Sequence, residues 1–274
     1  MGLRAAGFAP SVARVRFVVL GSGSGGNASV IEAGGTRILV DAGFTAKQLG
    51  LRLARAGIDP GSLDAVVITH EHSDHVKGLR VFLKKYTARV YATVQTAEVV
   101  GETAGPHVRW TSFEAGQSFR IGDLEIESFP VMHDAVDPVG FVFRHRDSSL
   151  GFISDVGHAP EQLRRRLDSL RGLYLEANYD PGLLEADTRR PWPTKQRISS
   201  RHGHLSNDQA ADLAAALAHP GLRHIILGHL SGDCNKPDIA CACVRRSLDA
   251  AGWAAVRVAC VSQDEPTPWF SFEG

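Results

Sequence analysis

An α/β fold in a single domain, residues 15–274, is what this sequence predicts, and three observations carry the prediction. Short apolar runs bounded by turn residues alternate with segments of helical periodicity along most of the chain. One of them, "DAVVIT" at residues 64–69, is nearly continuous in apolar character, as a strand covered on both faces must be. No shift in composition divides the 274 residues, a length that one large α/β domain accommodates.

Residues 1–14 carry arginines and lack the apolar stretch of a secretory signal, so they are expected to form a flexible extension. Strands follow at 15–20, 28–33 and 37–43, joined by a glycine-rich turn and then by Gly34-Gly35. Thr45 is placed to cap a helix that Gly57 stops, with Leu49, Leu53 and Ala56 along one face. The buried strand at 64–69 leads to a helix at 78–86, a strand at 89–93 and a polar connection. Alternation through 119–131 about a Gly-Asp turn marks a hairpin. Strands at 139–145 and 149–155, a basic helix at 160–170 and a strand at 173–178 come next, then a Pro/Arg-rich loop at 188–201. A helix within 206–220, a strand at 224–229 and a helix that Pro237 starts and Gly252 stops complete the pattern.

Composition narrows the function classes. Lys+Arg and Asp+Glu each total 30, so a polyanion would need a local basic patch. Apolar residues make up 43% and charged residues 22%, as in soluble globular proteins, and no run approaches the roughly 18 residues of a membrane span. Cys234, Cys241, Cys243 and Cys260 form no paired C-x-x-C pattern and read as reduced thiols of a cytoplasmic chain.

Gly21, Gly23 and Gly26 match G-x-G-x-x-G, but no helix opens after them, so a tight strand connection is the better reading than a dinucleotide cradle. "THEHSDH", residues 69–75, is stronger. His70 and His72 are alternate residues at a strand end and aim two imidazoles at one point; Asp74 and His75 lie one turn on and reach a second. A histidine-rich polar loop is the bland alternative. Two cations need more donors, and His133, Asp155 and His229 each follow a later apolar run, where an unpartnered polar residue would be costly.

H-x-H-x-D-H with a later His, Asp and His resembles the metallo-β-lactamase fold superfamily. With "LGSGSGGN", "VDAG", "FPVMHDAVDPVGFVF", "ISDVG", "LEANYD", "GHLSN" and "GHLSGDCN", nearly the whole chain is similar to its YycJ/WalJ (VicX) branch. The resemblance implies a four-layer αβ/βα sandwich and two divalent ions, zinc or manganese, with iron also accepted by such donors. It places His70, His72 and His133 on one ion, Asp74, His75 and His229 on the other, and Asp155 between them. "GHLSNDQAADLA" and "LEAN" resemble segments of ribonuclease Z, which implies His204 as proton donor to a leaving oxygen and Glu176 as the group that orients it. Ser231 and Asn235 are expected to hold a phosphate. The branch usually has His where Tyr179 stands and Asn where Cys234 stands, which touches the phosphate contacts but no metal ligand.

The implied reaction is phosphodiester hydrolysis by a water shared between two cations, with Asp74 also orienting that water, and the implied activity is a 5′ to 3′ DNA exonuclease. Arg164 to Arg166, Arg189, Arg190, Lys195, Arg197 and Arg201 supply basic charge, and Arg197 and Arg201 are the expected substrate contacts because they lead into His204. A metal-dependent thioester or lactone hydrolase of the same fold is the rival enzyme reading, and a non-catalytic regulatory metal protein the third. DNA or another phosphodiester is the expected partner, with no membrane and room for a homodimer. Glu71, between two ligating histidines, is expected to point away from the metals.

Overall fold

The computed structural model describes residues 12–272. Its first half holds strands β1 (Val12–Gly21), β2 (Ala28–Gly34), β3 (Thr36–Val40), β4 (Ala65–Val67), β5 (Arg89–Thr93) and β6 (Arg109–Phe113). Then come β7 (Ser118–Ile121), β8 (Leu124–Pro130), β9 (Val139–His145), β10 (Ser148–Ile153), β11 (Gly172–Glu176), β12 (His224–Gly228), β13 (Arg257–Cys260) and β14 (Phe270–Phe272). Between them lie helices α1 (Ala46–Arg55), α2 (Ser73–Val76), α3 (Leu79–Lys85), α4 (Val94–Ala104), α5 (Glu161–Arg166), α6 (Pro181–Ala186), α7 (Trp192–Ile198), α8 (Asn207–Leu217) and α9 (Pro237–Ala250).

Two seven-stranded sheets result, ordered β14-β1-β2-β3-β4-β5-β6 and β13-β12-β11-β10-β9-β8-β7. In each, short turns join antiparallel strands at the start, and helical crossovers join parallel strands beyond them. β14 closes the circuit by pairing with β1, Val15 opposite Phe272.

Side-chain alternation explains the layering. Phe17 and Val19 of β1 meet Phe141, Phe152 and Tyr174 of the second sheet, while Val18 and Leu20 face α1 and α3 through Leu49, Leu53 and Phe82. On the far side Leu173, Leu175, Ile225 and Leu227 pack against Leu163, Ala214, Val244 and Leu248 of α5, α8 and α9. The order helix, sheet, sheet, helix is the four-layer sandwich, and burial on both faces is why these strands read as unbroken apolar runs. Among the described residues, no helix is long and apolar enough to cross a membrane.

Several boundaries depart from expectation. β1 starts at Val12, so residues 12–14 belong to a strand, and the rest of the expected extension, residues 1–11, lies outside the described residues. The polar connection after β5 folds as α4: Thr93 caps it, and Thr96, Val100 and Ala104, four residues apart, form its buried stripe. Within the expected loop at 188–201, Pro191 and Pro193 start α7, where a missing N–H costs nothing. The basic helix stops at Arg166. The glycine-rich segment is a tight link between two strands, folded around Asn27, whose Oδ1 accepts from Ser22 Oγ (2.8 Å) and Gly23 N (3.0 Å).

Helix α8 begins with a reciprocal cap: Ser206 Oγ accepts from Gln209 N at 3.2 Å, and Gln209 Oε1 accepts from Ser206 N at 2.9 Å. Ser206→Ala is expected to lower stability by about 1 kcal/mol, read as a lower urea midpoint at unchanged slope.

Candidate metal centre and active site

The strand ends of both sheets meet at one edge, and the ligand-capable residues gather there. β4 delivers Thr69 and His70, and α2, a single turn, folds Asp74 and His75 back toward them. That turn is held by the link between β1 and β2 and by the loop after β3. Asn27 N donates to the Asp74 carbonyl at 2.7 Å, and a Cβ on Gly43 would lie 1.6 Å from the same oxygen, so only glycine fits. Asp41 accepts from Thr69 N at 2.9 Å and from His75 Nδ1 at 2.8 Å.

The second sheet supplies the rest: Asp155 past β10, Glu176 at the end of β11, His229 past β12, with His133 after β8 and His204 before α8. Asp41, Asp155 and His229 take positive φ values of 61°, 53° and 52°. Such strain, about 1–3 kcal/mol each, persists where surrounding contacts over-determine a functional geometry.

One pattern unites four of the histidines. His133 Nδ1 donates to the Gly203 carbonyl at 3.0 Å, His75 Nδ1 to Asp41, His229 Nδ1 to Glu176 Oε1 at 2.7 Å, and His70 Nδ1 lies 3.0 Å from Thr69 Oγ1. With the proton held at Nδ1, each Nε2 turns its lone pair inward. Nε2 of His70 and of His229 are buried with no hydrogen-bond partner, and His133 Nε2 lies 3.3 Å from His72 Nδ1, an arrangement that needs a proton or a cation between the two nitrogens.

The donors form overlapping sets. His70, His72 and His133 make one; Asp74, His75 and His229 make another; His70, His75 and Asp155 join them. Asp155 Oδ2 is 3.1 Å from His75 Nε2, and its Oδ1 is 3.3 Å from His229 Nδ1 and 3.7 Å from His133 Nε2. Asp41, Asp155 and Glu176 are buried, and among the described residues their ion pairs are all to histidines. Burial alone would raise the pKa of Asp155, but His229 and His75 outweigh it and hold the group well below the usual range. Burial likewise opposes charge on His229, yet Asp155, Asp74 and Glu176 push its pKa up to about 10, the same carboxylates drawing either a proton or a metal cation to its Nε2. So much buried negative charge beside inward lone pairs fits divalent cations.

The cleft over this centre encloses about 280 Å³ and is lined by His72, Asp74, His133, Asp155, His204 and His229. Of the expected substrate contacts, Ser231 and Arg197 lie on its wall, Arg197 Nη1 being 3.4 Å from Asp134 Oδ2. Asn235 does not. Its Nδ2 donates to the Ala177 carbonyl and to Asn207 Oδ1, both at 2.8 Å, and its Oδ1 accepts from Asn207 and Lys236 N, so its polar capacity goes into fastening a loop. Arg201 is exposed and outside the cleft. Arg165 and Arg166 pair with Glu161 and Glu127 on the surface, and Arg190 reaches the cleft wall already paired with Asp187 and Asp233. Tyr179 and Cys234, the departures from the family pattern, pack together with Leu184 as a small apolar cluster. Glu71 turns away and accepts from Val136 N at 2.8 Å.

Sequence reading assigned no role to Asp41, Asn27, Thr69 or Asn178, which hydrogen-bond to the candidate ligands or their backbone; Asn178 Nδ2 donates to the His229 carbonyl at 2.8 Å. The segment "VDAG", four residues with an Asp before a tight approach, was the available signal for Asp41.

Comparison with known proteins agrees with this geometry. The beta-lactamase superfamily domain matches residues 36–230. The chain is 34% identical over 241 residues to exodeoxyribonuclease YycJ of Bacillus anthracis, covering 87% of this chain and 91% of that protein. It is 35% identical over 233 residues to exodeoxyribonuclease WalJ of Streptococcus pneumoniae, covering 82% and 85%. Among solved structures, the metallo-beta-lactamase fold protein YhfI of Bacillus subtilis superposes with a TM-score of 0.70 at 16% identity, over 93% of this chain and 99% of that one, a likeness of fold. The chain belongs to the beta-lactamase superfamily and, within it, to the family of the YycJ and WalJ proteins.

Proposed function

We propose that this chain is a cytoplasmic DNA exonuclease that hydrolyses phosphodiester bonds from 5′ ends with two divalent cations, zinc or manganese, iron being the third candidate. The names of its relatives support the substrate class. The observation that carries the reading is the pair of His/Asp donor sets meeting at Asp155, with His204 and Glu176 beside them. His70, His72 and His133 would hold one cation, Asp74, His75 and His229 the other, and Asp155 would serve both. When bound, the cations supply Lewis acidity, lowering the pKa of coordinated water and offsetting charge on the phosphoryl oxygens.

The chain's own residues do the rest. Asp74 Oδ2, 3.5 Å from both His75 and His229, faces the cleft and is placed to accept a hydrogen bond from the attacking water. Glu176 is fixed by Val156 N at 2.8 Å and Leu205 N at 3.2 Å on Oε2. Its Oε1 accepts from Nδ1 of both His204 and His229 at 2.7 Å. One buried carboxylate therefore orients a metal ligand and the proton donor together. Burial works against the charged form of His204, but Glu176 more than compensates and raises its pKa, which favours the doubly protonated ring whose Nε2–H would meet the leaving oxygen. Arg197 on the cleft wall offers positive charge to the phosphate.

The test is product analysis on 5′- and 3′-labelled DNA, with and without chelator. Release of labelled mononucleotide from the 5′ end only, stopped by chelator, is expected, with no turnover of an acyl thioester. Thioester turnover without DNA degradation would establish the rival hydrolase.

A further inference from the structure

The metal cleft, about 280 Å³, is at the lower limit of small-molecule pockets, which run about 300–1,000 Å³. It has room for a phosphodiester group but little for a sugar and base. A second cavity of about 580 Å³ adjoins it, and the two share Ser24, Arg190 and Ser231 as a common rim. Leu230, Pro237 and Val261 give the second cavity apolar walls. Gln263 forms another wall and is held rigid, its Oε1 accepting from Gly25 N at 2.7 Å and its Nε2 donating to the Gly26 carbonyl at 2.8 Å. Lys236, exposed, lines the cavity with its ammonium group unpaired among the described residues.

Position decides which part of a substrate this cavity would take. His204, Thr194 and Ile198 line the metal cleft and not the second cavity. With the leaving oxygen at His204, the other substituent of the phosphorus extends past Ser231 and Ser24. We infer that the second cavity is a nucleoside subsite, which receives the sugar and base that keep the phosphate on their 5′ oxygen while Lys236 meets the next phosphate. Apolar walls suit a base and sugar of any sequence, since every base presents the same kind of flat apolar face. This inference rests on the phosphodiesterase reading.

The experiment compares two esters with the same leaving group, p-nitrophenyl thymidine 5′-phosphate and bis(p-nitrophenyl) phosphate, using the manganese-loaded protein. Gly232 lines only the second cavity, and a Cβ there meets nothing within 4 Å, so Gly232→Trp fills the space without touching the metal centre. Wild type is expected to favour the thymidine ester in kcat/KM by about tenfold or more, and Gly232→Trp to erase that preference while changing the bis-ester rate less than about twofold. Thymidine 5′-monophosphate should also inhibit wild type at least about tenfold more tightly than inorganic phosphate, a measurement independent of any variant. Equal handling of the two esters by wild type, an equal effect of Gly232→Trp on both, or equal inhibition by nucleotide and phosphate overturns the subsite. Failure of wild type to hydrolyse either ester overturns the phosphodiesterase reading and the subsite with it, a result distinct from any of these.

Discussion

Asp155→Asn is expected to strip divalent metal from the protein and slow DNA hydrolysis by on the order of 10³-fold or more. The carboxylate is buried, with His75 Nε2 at 3.1 Å, His229 Nδ1 at 3.3 Å and His133 Nε2 at 3.7 Å, so it joins both donor sets. Lewis-acid stabilisation is worth several kcal/mol, and each 1.36 kcal/mol is about tenfold in rate. Asparagine is the informative replacement. It keeps the shape of the side chain and tolerates the positive φ of 53° that would strain alanine, so the loss reports charge and not misfolding. Metal analysis of the purified variant beside its circular dichroism spectrum checks this: native helix content with depleted metal is the expected pair.

His204→Ala should leave metal content unchanged and lower kcat on DNA by about 10²–10⁴-fold, the range for loss of a positioned general acid. Hydrolysis of p-nitrophenyl esters should fall far less, because nitrophenolate departs without a proton. A structural role for His204 would slow both substrates alike. The pH dependence has a definite sign. As the proposed proton donor His204 would act in its protonated form, and Glu176 raises its pKa, so wild-type activity on DNA should be lost as pH rises through that raised value. Glu176→Gln removes the negative neighbour, and the decline should begin at lower pH. Because Glu176 also holds His229, the same variant should bind metal more weakly, by about 10–100-fold as for loss of a carboxylate behind a ligating histidine.

How far the sequence foretold this site depended on whether a residue's role was local. His70, His72, Asp74 and His75 share one strand end and one helical turn, so their convergence is written in their spacing, and His133, Asp155 and His229 announce themselves as polar residues after apolar runs. Asp41 is different: an Asp two residues before a glycine looks like a turn residue until β3 and β4 pair and bring it to His75. The hydrogen-bonding of Asn235 was hidden for the same reason, since only the fold reveals that Asn207 and Ala177 take up its amide. The strands covered on both faces were legible, whereas β6, β13 and β14, which are partly exposed and lack an unbroken apolar run, were not. Helix α4 was hidden by Gly101 and five valine or threonine residues of weak helix preference, its Thr96, Val100 and Ala104 stripe being specified by packing. The second cavity, made from segments around residues 24, 190, 231 and 263, has no signature in any one stretch.

The central claim is that the His/Asp centre performs the hydrolysis, and the rate of end-labelled DNA degradation by wild type and by His72→Ala, at matched manganese concentration, tests it most directly. Wild type should degrade the DNA and His72→Ala should be slower by about 10³-fold, since the donor set His70, His72 and His133 would be left with two members. Equal degradation by the two proteins would contradict the account.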